Sequence, residues 1–413
     1  MLVQSAIGLA VFLGLAWAMS EHRRQVSLRL VGLGLALQLA LGILLLKVPG
    51  SGEIFLGFNR VILALEESVQ AGTAFVFGYL GGGPPPFEEK EPAYTYVFAF
   101  RALPLLFLMS ALSSLLFYWK VLPLVVKGFS RVLEKTLGLG GAEGLGVSAN
   151  IFLGMVEAPL FIRPYLARMT RSELFTVMTC GMATIAGTVM VLYASILSDM
   201  IPNVIGHILT ASLLNAVAAV IISKIMIPET GPGTSGELVE PEPFSSSMDA
   251  ITKGTLRGVQ LLINIVAMLL VMVALIHLVN LVLGALPLGG SRPLTLQGIL
   301  GIVSAPMVWL MGIPWSQSWT AGELMGTKMV INELVAYINL SQLSPDALSP
   351  RSLVIMTYAM CGFANPGSLG IMIGGLGTMA PERRADVVSL GLRSIVAGTL
   401  STCMTGALVG LLY

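Results

Sequence analysis

Glu157 and Glu333 are the residues most able to do chemistry, because each is an ionisable group inside an apolar stretch. The stretches are GAEGLGVSANIFLGMVEAPLFIRPYLARM (141–169) and WSQSWTAGELMGTKMVINELVAYINLS (315–341). A carboxylate held away from water is costly and needs a reason: a nearby cation or a ligand. Lys328 is available as a partner for Glu333 or Glu323. Asn365 and Ser368 stand three residues apart and share a face if helix resumes there, either as polar ligands or as caps around Pro366. Asn150 and Thr188 offer the oxygen ligands that suit a hard cation such as sodium, and can equally bond their own backbone.

The elements that must position these groups follow from composition. Of 413 residues, 55% are hydrophobic and only 11% charged, far below the roughly 25% charged residues of soluble domains. The membrane is therefore the expected solvent. Lys plus Arg (23) and Asp plus Glu (22) nearly cancel, which removes the basic footprint of a nucleic-acid binder. Three scattered cysteines and three separated histidines argue against a disulfide framework or a Cys/His metal site.

Apolar runs of about 20 residues occur near 2–20, 26–48, 96–119, 173–197, 205–227, 256–284, 351–378 and 387–411, which predicts an all-α polytopic protein with about eight transmembrane helices. Arg23, Arg24, Arg29, Lys120, Lys127, Arg131, Lys135, Arg163, Arg168, Arg171, Arg383 and Arg384 fall in short loops that the positive-inside rule assigns to the cytoplasm. The acidic second connection, with Glu53, Glu66, Glu67, Glu88, Glu89 and Glu91, then faces outside, as do both termini. The Pro-, Gly- and Ser-rich stretch 229–250 reads as a flexible cytoplasmic linker.

The two Glu-bearing stretches are too broken to be ordinary spans and suit re-entrant helical hairpins, whose irregular backbone must be buried in protein or line an aqueous cavity. Around them one order occurs twice: a span, an interfacial amphipathic helix (121–138; 296–313), a hairpin and two spans. Three crossings per half force opposite orientations, an inverted-topology repeat as found in many secondary transporters. The span after each hairpin carries a helix breaker, at 184–188 and at 362–368, and matched breaks point to a midplane binding site. The chain thus divides into an N-terminal part (1–95), a first repeat (96–228), a linker (229–255) and a second repeat (256–413). His277, within an apolar span, reads as a hydrogen-bonded packing residue. Gly81-Gly82-Gly83 lacks the Lys-Ser/Thr of a phosphate loop, and neither HExxH nor GxSxG occurs.

The second half, with SAPMVWLMGIPW (304–315), GELMGTKMVINELVAY (322–337) and CGFANPGSLG (361–370), resembles the concentrative nucleoside transporters; GTAFVFGYL (72–80) and SANIFLG (148–154) add to the likeness. The resemblance spans nearly the whole chain and implies a homotrimer of subunits with eight core spans and two hairpins. It assigns Glu333, Asn365 and Ser368 to the ribose hydroxyls. A carboxylate that accepts two hydrogen bonds suits vicinal hydroxyls, and charged acceptors make the stronger bonds. It assigns Asn150, Leu153, Thr188 and Val189 to a sodium ion, Leu153 and Val189 through their carbonyls, and Glu157 to substrate binding and coupling. Where the family typically has Gly-Gln-Thr/Ser-Glu, this chain has Gly154-Met155-Val156-Glu157, so an apolar wall replaces hydrogen bonds to the nucleobase and weaker pyrimidine selectivity is expected.

The resulting expectation is a cation-coupled symporter of the inner membrane, not an enzyme, with no cofactor other than sodium as coupling ion, importing nucleosides or related ribosides. Proton coupling through Glu157 is the nearest alternative, and a channel or structural membrane protein the alternative of a different class.

Overall fold

A computed structural model describes residues 1–47, 51–87, 97–198, 200–234, 244–285 and 294–413; for 51–59, 61, 62 and 268 it describes the backbone only. The described residues are all-helical. The N-terminal part holds α1 (Leu2–Ala18), α2 (Leu28–Lys47) and α3 (Ser51–Phe77). The first half continues with α4 (Phe98–Arg101), α5 (Leu105–Tyr118), α6 (Val121–Leu137), α7 (Gly141–Asn150), α8 (Glu157–Leu160), α9 (Arg163–Leu166), α10 (Arg171–Ala183), α11 (Gly187–Leu197) and α12 (Val204–Met226). The second half holds α13 (Ser247–Gly284), α14 (Leu296–Leu310), α15 (Trp315–Val330), α16 (Glu333–Ser341), α17 (Pro350–Met360), α18 (Pro366–Met379) and α19 (Arg384–Leu412).

Six helices among the described residues are long and apolar enough to cross a membrane, with α4 and α5 counted as one and α10 and α11 as another. The expected spans at 2–20 and 351–378 depart from this. The first forms a helix of only 17 residues, and the second divides into α17 and α18 around the break at 361–365. The order of elements from α5 to α12 recurs from α13 to α19, as the hydropathy pattern predicts. The descending arm of the first interrupted segment is not one half-helix but α8 and α9, because Pro164 lacks the N–H that a continuous helix would donate to the Leu160 carbonyl. In the second, α14 and α15 pack together across a bend of 120°, and the chain interrupts again at Ile331–Asn332.

Local sequence explains several boundaries. α6 buries Pro123, Val126, Ser130, Leu133 and Leu137 at helical spacing and exposes Lys127, Arg131 and Lys135, then stops where Gly138 takes φ 67°. By contrast α14, expected to be amphipathic, exposes Ile302 and Val303 and is apolar on both faces. α10 begins with a capping box between Thr170 and Glu173. α13 starts nine residues ahead of the expected 256, at Ser247, because Ser246 caps it by accepting from the Asp249 N–H at 3.1 Å and Lys253 pairs with Asp249 at 3.0 Å.

The linker is also shorter and better anchored than its composition suggests. Thr234 donates from its N–H (2.6 Å) and its hydroxyl (2.7 Å) to Glu173, and Phe244 packs edge-on against Phe117. Its middle, 235–243, and the acidic Glu88, Glu89 and Glu91 lie outside the described residues.

Packing relies on small residues where backbones touch. A Cβ at Gly254 would lie 2.6 Å from the Ser110 carbonyl oxygen, and one at Gly258 2.9 Å from the Phe107 Cα, so this GxxxG pair lets α13 cross α5. Gly322 and Gly326 do the same for α15 against Gly301 and Leu300 of α14. Helices α10, α11, α12 and α19 form the buried centre, whereas α2 and α13 are largely exposed. His277 lies on that exposed face of α13, not packed as expected.

One end of the bundle gathers many residues expected to be cytoplasmic. Glu21 binds Arg171 at 3.1 Å and also Arg393, and the Arg383 guanidinium donates to the carbonyls of Leu166, Ala167 and Met169.

Candidate functional site

Glu333 opens α16, one residue after the N-cap Asn332, whose side chain accepts from the Val335 N–H at 2.9 Å. Asn365 is the N-cap of α18, past the break that follows α17. Its Oδ1 accepts from the Ser368 N–H at 2.8 Å while its Nδ2 donates to Glu333 Oε2 at 3.2 Å. Capping and site-building are thus one geometry: using Oδ1 on the helix start aims the amide donor at the carboxylate. Ser368 joins through its backbone N–H.

The other Glu333 oxygen accepts from the Tyr193 hydroxyl at 2.6 Å. Tyr193, on α11, lies against Tyr337, whose hydroxyl donates to the Thr357 carbonyl at 2.9 Å. Sequence reasoning missed Tyr193. The available signal is a lone phenol five residues beyond Thr188, on the helix that follows the first break. All four groups, Tyr193, Glu333, Asn365 and Ser368, are buried.

Lys328 does not pair with Glu333. Its ammonium donates to the Ala359 carbonyl at 2.8 Å and to Thr402 Oγ1 at 2.9 Å, while Glu323 accepts from Trp319 Nε1 at 3.0 Å.

In the first half, α7 ends at Asn150, whose Nδ2 donates to the Gly146 carbonyl at 3.0 Å. Its Oδ1 is buried and has no hydrogen-bond partner. The following turn is tied to the first break by a bond from the Gly187 N–H to the Phe152 carbonyl at 2.9 Å. The bond joins the turn that holds Leu153 to the start of α11, which holds Thr188 and Val189, and Leu153, Thr188 and Val189 are all buried. A buried amide oxygen with no partner among the described residues suits a hard cation, since an orphaned acceptor is otherwise a cost to the fold.

The remaining predicted residues lie apart. Glu157 begins α8, accepts from the Gly154 N–H at 3.2 Å, and is half-buried. It lines a cavity of about 90 Å³ with Ser110, Ser114, Leu153, Phe161 and Arg257, between the first interrupted segment, α5 and α13. No hydrogen bond or ion pair among the described residues joins it to Glu333. Met155 and Val156 contact helices: a Cβ at Gly181 on α10 would meet Met155 Cβ at 2.8 Å, Met372 Cε at 3.1 Å and Asn150 Oδ1 at 3.4 Å, and Gly375 on α18 faces Val156.

A second polar network, also missed from sequence, stands at the end of the bundle that holds Glu21. Lys224 of α12 reaches Glu143 of α7 at 2.8 Å, Glu229 at 3.2 Å and Ser172 Oγ at 3.1 Å. It pins α7 to α12 and to the start of the linker.

Apolar spans, interrupted helices and buried polar groups at the interruptions define a multi-pass membrane transport protein. Comparison with known proteins makes the family specific. Residues 207–410 match the family description "Na+ dependent nucleoside transporter C-terminus", residues 7–80 its N-terminal counterpart, and residues 99–200 "Nucleoside recognition". "Nucleoside permease NupC" of Helicobacter pylori is 36% identical over 98% of this chain and 97% of its own length. A structure of CNTnw in an inward-facing, substrate-bound state superposes with a TM-score of 0.89 at 37% identity, covering 99% of this chain and 98% of that one. An outward-facing variant of the same protein gives 0.91 at 36% identity, covering 99% and 97%. The chain belongs to the concentrative nucleoside transporter family, a family of transporters and not of enzymes.

Proposed function

We propose that this protein is a sodium-coupled symporter that imports nucleosides or related ribosides across an inner membrane by alternating access. The observation that carries the reading is the buried Glu333 carboxylate, held between Tyr193 and Asn365 where two helices start. A riboside's vicinal hydroxyls would donate to Glu333, with Asn365 and Ser368 beside them, and Glu157 would contribute from the first hairpin. Solved states of a relative facing inward and outward support alternating access.

Sodium is the proposed co-transported ion, taken by Asn150 and Thr188 with the carbonyls of Leu153 and Val189; the orphaned Asn150 Oδ1 supports this. One positive charge moving through 100 mV supplies about 2.3 kcal/mol, roughly fifty-fold accumulation before the sodium gradient is counted. The domain division drawn from the repeat, the external placement of both termini and a homotrimer belong to the same proposal. The exposed apolar length of α13 supports burial in lipid or against a second subunit.

The test is uptake of radiolabelled uridine and adenosine into proteoliposomes, with sodium replaced by choline at fixed pH. Saturable uptake lost with sodium is expected. Uptake that persists and follows the proton gradient would replace sodium with a proton, and absence of saturable uptake for any nucleoside would remove the symporter reading.

A further inference from the structure

Lys328 is a fully buried ammonium with no carboxylate within ion-pair distance among the described residues. A buried charge in such a position is costly and needs oriented dipoles around it. Those dipoles come from helix ends. Lys328 sits in the last turn of α15, and its ammonium binds the Ala359 carbonyl in the last turn of α17, one residue before that helix stops at the break. Carbonyls at a helix C-terminus carry partial negative charge and favour a cation. Thr402 of α19 supplies the second acceptor.

The place of this ammonium in the element order matters. In the first half, the end of α7 lies against the end of α10 and the chain just after it is bonded to the start of α11, and there Asn150 Oδ1 has no partner among the described residues. In the second half, the end of α15 meets the break between α17 and α18, and there the Lys328 ammonium is found. Each half thus places cation-type chemistry where a hairpin's first arm ends against a broken helix. The difference is that one half leaves an acceptor open and the other carries its cation on a side chain.

We propose that Lys328 is a tethered cation, the second repeat's counterpart of the exchangeable sodium of the first, and that it is a positioning residue for the nucleoside site. By holding the end of α17 it fixes the break from which Asn365 reaches Glu333. The ribose side is therefore preformed, whereas the first hairpin waits for an ion, and transport couples to one exchangeable cation at these two junctions. This inference rests on the reading of Asn150 and Thr188 as the sodium site.

The experiment compares wild type with Lys328→Met, Lys328→Ala and Lys328→Arg in proteoliposomes, measuring nucleoside KM, maximal rate and the sodium dependence of uptake. Lys328→Met is expected to raise nucleoside KM at least about tenfold with little change in the half-saturating sodium concentration, because the loss falls on Glu333 and Asn365. Lys328→Ala is expected to regain uptake when methylammonium is added, or to steepen its sodium dependence from a Hill coefficient of about one toward two as a free ion enters the vacated place. Lys328→Arg, which keeps the charge, is expected to lie between wild type and Lys328→Met.

Wild-type KM in Lys328→Met, or a Lys328→Ala protein that binds no nucleoside and answers to no added cation, would overturn the proposal. Should the Lys328 variants fail to fold, Thr402→Val keeps the ammonium and removes one acceptor; a rise in KM of a few-fold is expected, and an unchanged KM overturns the proposal. If wild-type uptake is indifferent to sodium, the Asn150 reading fails whatever the Lys328 variants do. If wild type requires sodium and Lys328→Met behaves like it, only the tethered cation fails.

Discussion

In the second half of the chain, Glu333 is enclosed by groups that already satisfy it: a phenol on one oxygen, an amide on the other, and a helix start beneath. In the first half, Asn150 at the matching junction keeps one amide hydrogen bond and leaves its oxygen buried and unpartnered. Under the proposed function, the contrast sets a pocket whose carboxylate is already hydrogen-bonded against a site that an ion would complete. On that proposal, two halves with the same element order would divide the work of holding substrate and sensing the gradient.

The comparison breaks most visibly at Glu333. Glu333→Gln is expected to lower nucleoside affinity roughly 100-fold or more, since it weakens charge-assisted bonds that an amide cannot replace. Equilibrium binding to purified protein checks this, and unchanged uridine affinity would remove the ribose assignment. Asn150→Ala should act on the other axis, raising the half-saturating sodium concentration roughly 10- to 100-fold while nucleoside binding at saturating sodium stays near wild type. Sodium titrations of uptake separate the two, and equal effects on both ligands would mean that the halves do not divide the roles.

Smaller changes sharpen the picture. Tyr193→Phe removes one hydrogen bond to a charged group, expected to cost about 1.5 kcal/mol and to raise KM about tenfold without altering sodium dependence. Met155→Gln combined with Val156→Thr asks whether the hairpin tip faces a base or packs on helices. Its contacts with Gly181, Met372 and Gly375 predict a stability loss of about 1–3 kcal/mol, read as a lower thermal midpoint, and no gain in pyrimidine uptake.

The smallest effect concerns Glu21, which links Arg171 of α10 to Arg393 of α19 across the two halves. Partial burial pushes its carboxyl up, but the hydrogen bond and charge of Arg171, with those of Arg393, outweigh this and hold it below the usual range. A lowered folded-state value means that its contribution is present above the ordinary carboxylate pKa and is lost as pH falls through the lowered one. Because the group is partly exposed, that contribution is about 1 kcal/mol or less. Thermal midpoints of wild type and Glu21→Gln should therefore differ slightly at pH 7 and converge in acid.

Much of the architecture was legible because membrane spans announce themselves locally. Twenty apolar residues between loops mark a helix such as α12, and Gly, Pro and Asn at 362–367 mark the break that ends α17. The boundary errors have local causes too: a Ser246 cap extended α13 into the expected linker, and Pro164 divided the return arm of the first interrupted segment. The GxxxG pairs on α13 and α15 were readable as strings, but what they pack against was not.

Sequence by itself pointed to the class of protein, the repeated order of elements, the two breaks and the residues of special chemistry near them, since each is read from hydropathy and residue type along the chain. Only the tertiary structure decided which groups meet. Tyr193 reaches Glu333 across 140 residues, and Lys328 turns from that carboxylate to the end of α17 and to Thr402. The physical reason is that burial fixes how costly an unpaired charge or acceptor is, while the partner that relieves it comes from whichever helix the packing brings within about 3 Å.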